Sequence, residues 1–141
     1  ALFDVCPRLL RLDPPDGLQI FRQFMTWAYG CQLALDWTFH LGVCRWLLAS
    51  DYRELIEAQD IEAMMLAAAA RWVASDDSPA IGIVLAWQAG DEPVFDWKPR
   101  VRQAARLTAQ AEELPPTRWD FAWSPLAASG GNGFRRWLRV P

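Results

Sequence analysis

The sequence is poor in the side chains that most often carry catalysis or hold a metal. Its 141 residues include one histidine, His40, and three cysteines, Cys6, Cys31 and Cys44. An odd number of cysteines leaves at least one thiol unpaired within the chain, which argues against the disulfide framework of a small secreted domain. A single histidine excludes sites built from several imidazoles. We therefore expect a cytoplasmic protein that is not an enzyme and carries no cofactor.

Basic charge is also scarce, and lysine is almost missing. The formal net charge is −3, and Lys98 is the only lysine among the 14 basic residues. Domains that bind nucleic acid carry a basic footprint, so general affinity for nucleic acid is not expected. The charge is uneven, however, because residues 1–90 hold six basic and eleven acidic residues, whereas residues 91–141 hold eight and six. The second part of the chain is therefore its basic part.

What the sequence has in abundance is apolar side chains, above all between Leu18 and Leu48. The chain contains nine tryptophans, and three of them fall in this stretch. Polar residues interrupt it, and Asp36 near its centre would be costly inside a bilayer, so we expect no membrane span. The polar residues before and after Gly30 lie on different helical faces. This shift predicts two helices joined by a bend or a break at Gly30.

Capping signals predict further helices. Asp51 with Glu54 forms a capping box, so a helix is expected to begin at Ser50 or Asp51, with a restart at Asp60 as an alternative. Residues 61–74 are strong helix formers, and Pro99 is suited to the first turn of another helix. Residues 90–99 are predicted to form a linker or an extended arm.

The segment from Ala80 to Ala89 is ambiguous. Its alternating pattern favours a strand, while its all-round apolarity favours a short buried helix. We predict a helix, because the sequence shows no comparable strand to pair with it. The whole chain then predicts an all-α fold, a single-domain bundle of five or six helices over residues 1–114. Residues 115–141 are predicted as an irregular arm, rich in Trp and Pro, that packs on the bundle or extends from it.

One group of rare residues is a candidate metal- or thiol-dependent site. His40 and Cys44 are four residues apart and share a helical face, where they could act with Cys31. Cys31 would lie about 13 Å from His40 along an unbroken helix, and buried cysteine more often packs as a small apolar side chain. We therefore assign no metal and keep this site as an alternative. Asp36, also four residues from His40, is interpreted as its polar partner.

The C-terminal arm is the preferred candidate for binding. Tryptophan and arginine are frequent anchors of protein interfaces, and both are concentrated there. The sequence therefore predicts a bacterial protein–protein interaction module of accessory, adaptor or immunity type, with homo-oligomers as a further option. Weak binding of single-stranded nucleic acid by the arm is an alternative. The predicted contact residues are Trp119, Phe121, Trp123, Arg135, Arg136 and Trp137.

Overall fold

Helices occupy the first part of this chain and strands the second. The computed structural model describes residues 5–12, 17–75, 80, 82–89, 92–99, 120–126 and 138–141. Within these ranges the fold is mixed α/β, with three helices of 11 to 18 residues and one antiparallel sheet. The predicted all-α bundle of five or six helices is therefore wrong. The chain divides into two compact units, residues 1–68 and residues 69–141.

Unit 1 is helical. Its elements are a four-residue helix α1 (Leu9–Leu12), α2 (Leu18–Gly30), α3 (Phe39–Ala49), a 3₁₀ turn (Arg53–Leu55) and the start of α4 (Ala58–Ser75). The predicted break at Gly30 is confirmed, although α3 begins only after a loop at residues 31–38. The helix predicted from Ser50 or Asp51 begins instead at Ala58, since the residues before it form the 3₁₀ turn. No helix within the described ranges is both long and apolar enough to cross a membrane.

Buried aromatic side chains hold α2 against α3. The ring centroid of Phe24 on α2 lies 5.5 Å from that of Trp46 and 6.1 Å from that of Phe39, both edge-on. Trp27 is 6.5 Å from Trp46, and Ile20 completes the buried side of α2. Part of the tryptophan content is thus core, as expected for a side chain with so large an apolar area.

Unit 2 contains an antiparallel sheet. In the part of the chain that the structure describes, its strand order is β2-β1-β3-β4. The strands are β1 (Gly82–Ala89), β2 (Glu92–Pro99), β3 (Phe121–Leu126) and the two-residue β4 (Leu138–Arg139). The central strand β1 is buried on both faces, since Ile83, Val84, Leu85 and Ala86 are each at most 3% exposed. A strand covered on both faces is apolar throughout rather than alternating.

Three sequence predictions are wrong in this unit. Residues 82–89 form a strand instead of a helix, and residues 92–99 of the predicted linker or extended arm supply its hairpin partner. The predicted irregular arm contains β3 and β4. The misreading of β1 has a physical cause, because continuous apolarity is common to a buried strand and a buried helix. Pro99, the predicted start of a helix running to about Glu113, is instead the last residue of β2. The rest of that predicted helix and the predicted boundary after residue 114 lie outside the described residues.

A buried carboxylate joins the N-terminal segment to the start of α4. Asp60 is 3% exposed, and its Oδ1 accepts hydrogen bonds from Arg8 Nε at 3.1 Å and from Cys6 Sγ at 3.4 Å. Its Oδ2 accepts from the backbone N–H of Glu57 at 2.9 Å, which caps α4. The Arg8 guanidinium also donates to the Glu57 carboxylate at 2.6 Å and to the Leu55 carbonyl at 2.7 Å. Asp60 thus accepts hydrogen bonds from two separate segments of the chain.

Replacing this carboxylate should destabilise the protein measurably. We expect Asp60→Ala to lower the free energy of unfolding by about 2–3 kcal/mol, because a guanidinium nitrogen and a backbone N–H lose their acceptor. Glu57→Ala is the control, since the Glu57 side chain is 57% exposed and an exposed ion pair contributes less than about 1 kcal/mol. Urea denaturation followed by circular dichroism measures both variants. Equal losses would contradict the role assigned to Asp60.

Candidate functional site

Helix α2 has more apolar surface than its own unit covers. Its buried side carries Ile20 and Phe24. At 100° per residue, the apolar side chains of α2 extend over roughly 200° of its circumference, whereas a surface helix commonly needs an apolar stripe of about 100°. The uncovered part forms an apolar stripe of four side chains that are 43%, 45%, 47% and 88% exposed: Leu18, Phe21, Met25 and Tyr29.

A groove continues this apolar stripe at the C-terminal end of α2. Its volume is about 720 Å³, within the range of small-molecule and side-chain pockets in proteins. It is lined by Phe24, Met25, Ala28, Tyr29, Gly30, Gln32, Leu33, Leu35 and Phe39. Because Met25 and Tyr29 belong to both features, the stripe and the groove form one continuous surface.

The turn that ends α2 shapes the groove. Gln32 has a φ of 52°, in the left-handed region that side-chain-bearing residues rarely occupy. Its N–H donates to the Tyr29 carbonyl at 3.3 Å, and the Leu33 N–H donates to the Ala28 carbonyl at 3.0 Å. These two bonds and the left-handed residue form a Schellman motif, the usual way to satisfy the last carbonyls of a helix. The turn therefore sends the chain back along the end of α2.

A buried glycine of α3 accommodates the side chain that follows this turn. A Cβ atom at Gly42 would lie only 2.5 Å from Leu33 Cδ1, so any larger residue would push Leu33 out of its place. Leu33 is one of the groove residues. Gly42 thus permits a close approach between the loop and α3, and this approach fixes one wall of the groove.

The surface is nearly free of charge. None of the nine residues that line the groove is acidic or basic, and α2 contains no acidic residue. Arg22 is the single basic residue of α2, and it is exposed. It lies at the edge of the apolar stripe, one helical turn from Met25. In the nearby loop, Asp36 Oδ1 accepts hydrogen bonds from the backbone N–H of Thr38 at 2.8 Å and from its hydroxyl at 2.5 Å. Asp36 therefore orients the start of α3.

The structure does not bring the candidate metal ligands together. Cys31 is exposed at the end of α2, while His40 and Cys44 are buried in α3. Within the described ranges, no group of three or more His, Cys, Asp or Glu side chains could hold a metal ion. The expected bond from Asp36 to the imidazole is also not formed at His40 Nδ1, and Asp36 Oδ1 instead accepts hydrogen bonds from Thr38.

The predicted contact residues of the C-terminal arm lie partly in the core. Phe121 on β3 is completely buried. Trp123 on the same strand is half-buried, and its ring centroid lies 6.4 Å from that of Trp72. The other four, Trp119, Arg135, Arg136 and Trp137, lie outside the described residues, so their use in binding stays a prediction.

The apolar stripe was missed by the sequence reasoning. The spacing that marks it is visible, since residues 18, 21, 25 and 29 follow one helical face. What the sequence does not show is which of two neighbouring apolar faces is buried. The signal that could have revealed the stripe is the width of the apolar arc of α2, which is much greater than a helix needs to pack on one side.

The sequence also belongs to a known family. The family model described as "Methanobactin biosynthesis cassette protein MbnC-like" matches residues 1–141, the full length of the chain. The chain therefore belongs to the MbnC-like family. No curated protein matches it. Membership confirms the coarser part of the sequence prediction, a bacterial accessory protein, and associates it with biosynthesis, while the predicted binding of another protein stays a prediction.

The three thiols should differ sharply in reactivity. Burial, together with the hydrogen bond and negative charge of Asp60, raises the pKa of the Cys6 thiol from 9.0 to about 11, so Cys6 is a protonated donor at neutral pH. Cys44 is completely buried, and Cys31 is exposed. We expect Ellman's reagent at pH 8 to modify one thiol in the folded protein, and the Cys31→Ser variant to lose this modification. In urea the reagent should modify all three thiols. Rapid modification of a second thiol in the folded protein would contradict this assignment.

Proposed function

We propose that this member of the MbnC-like family is a non-catalytic accessory protein that acts by binding another protein of the biosynthesis cassette. The binding surface is the apolar stripe of α2 together with the groove. The observation that carries the proposal is the exposure of Phe21, Met25 and Tyr29 on one helical face. Continuous apolar patches on a protein surface commonly mark sites of interaction.

The residue types support this role. Tyrosine, phenylalanine and methionine are enriched at protein interfaces, and methionine adapts its shape to a partner. Burying one such side chain completely is worth about 1.5–3 kcal/mol. A partner that covered the half-exposed stripe would therefore gain stabilisation from several side chains at once.

The chemistry of the groove supports binding in preference to catalysis. Its nine lining residues include no carboxylate, imidazole, thiol or amine, the groups that act as nucleophile or general base in most enzymes. Cys6, with its raised pKa, is held as a donor to Asp60. Cys6 thus has a structural partner, and the exposed thiol of Cys31 is not among the residues that line the groove.

A negative charge within the stripe should disrupt the interaction. We expect Met25→Glu to weaken binding to a separately purified cassette protein by about 30-fold or more, because a carboxylate would lose its hydration in an apolar interface at a cost of about 2 kcal/mol. Isothermal titration calorimetry against each cassette protein in turn measures the effect. The unfolding transition should change little, since Met25 is 47% exposed.

The matched control places the same charge on another face of the same helix. Gln23 is exposed and lies roughly 160° around α2 from Met25. Gln23→Glu should therefore bind like the unmodified protein. If Met25→Glu also retained full affinity for every cassette protein that binds the chain, the proposal would be abandoned.

A further inference from the structure

We infer that the occupant of the stripe and groove is an apolar-faced helix of another protein, about three turns long, with a carboxylate opposite Arg22. The inference rests on the proposed function and specifies the chemistry of the partner. Three features of unit 1 support it: the length of the stripe, the neutrality of the groove and the basic charge of Arg22 at the edge of the stripe.

The dimensions of the surface match a helix. From Leu18 to Tyr29 the stripe rises about 16.5 Å along the axis of α2, which is three helical turns. A second helix packed alongside would place a side chain at each turn against it, as ridges fit into grooves between helices. At the end of the stripe the groove of about 720 Å³ has room for a bulky side chain of that helix, such as an aromatic ring.

The charge pattern defines what this helix carries. A groove lined without charged residues favours an uncharged anchor, because a charge moved there would lose its hydration without gaining a partner. Arg22 lies beside the stripe, and α2 offers it no acidic residue. A carboxylate on the edge of the incoming helix complements this guanidinium, and such edge charges chiefly set the choice of partner.

The same pattern argues against a second copy of this chain. In a two-fold antiparallel pair of α2 helices, the axis would pass near the midpoint of the stripe, between residues 23 and 24. The two Arg22 side chains would then lie about 4.5 Å apart along the helix axis. Because α2 has no acidic residue, this repulsion would have no counter-charge within the interface. A different protein with an acidic residue satisfies the surface better.

Two synthetic helical peptides test the inference. Each would be about 14 residues long, enough for three to four turns, with leucine and phenylalanine on one face. They would be identical except for one residue beside that face, which is glutamate in one peptide and lysine in the other. An environment-sensitive fluorophore on Cys31 reports binding, because this exposed thiol lies between the groove residues Gly30 and Gln32.

The expected result is a preference that follows the charge of Arg22. At low salt the glutamate peptide should bind the labelled full-length chain about fivefold more tightly than the lysine peptide, the size typical of an exposed charge pair. Arg22→Glu should reverse this order, and Gln23→Glu should preserve it. Salt at about 1 M should reduce the preference, because it screens exposed charges.

Other outcomes overturn the inference. Equal affinity of the two peptides would show that the partner needs no carboxylate opposite Arg22. Undiminished binding of the peptides to the Met25→Glu variant would show that they bind elsewhere on the chain. If sedimentation shows a dimer of the chain that Met25→Glu dissociates, the occupant is a second copy. These failures are distinct from failure of the proposed function: when Met25→Glu loses its cassette partner but the peptides bind equally, only the inference about the helix falls.

Discussion

The turn at the end of α2 is the constraint on which the candidate site depends. Gln32 adopts a left-handed conformation, and the bonds around it satisfy the last carbonyls of the helix while reversing the chain. Leu33 then packs over Gly42, where a Cβ atom would require the Leu33 side chain to shift. A straight continuation of α2 into α3 would have removed both the loop and the groove. The local geometry of three residues thus determines where the binding surface ends.

The aromatic contacts inside unit 1 give that surface its rigidity. Phe24 contacts Trp46 and Phe39 on the buried side of α2, only one residue from Met25 on the exposed side. Anchoring one side of a helix in this way restrains its backbone, and so the positions from which the side chains on the other side project. A preformed surface loses less conformational entropy when a partner binds, so a given apolar area yields more affinity. The core and the candidate site are therefore two faces of one element.

The features that could be predicted from the sequence are those that depend on local chemistry. Gly30 ends α2 as expected, because glycine is a poor helix former. The strand β1 was missed in part because one of its two partners lies far along the chain: Leu85 pairs with Trp123 in β3, and pairing at such separation leaves no local trace. Strand β2 left a weak trace in the sequence, an alternation of apolar and charged residues in which Phe95 and Trp97 are followed by Asp96 and Lys98. The prolines at both ends of that strand made the same residues resemble a linker.

The candidate site was hard to predict for a different reason. Rare residues attract functional hypotheses, and here the structure uses them in packing and capping: Cys6 donates to Asp60, and Cys44 and His40 are buried in α3. The exposed surface is built instead from apolar side chains that are unremarkable one by one. Only the tertiary arrangement shows that one apolar face of α2 is covered and the next is not. For a binding protein whose chemistry is apolar contact, the informative quantity is therefore the apolar arc left uncovered, which a count of reactive residues does not measure.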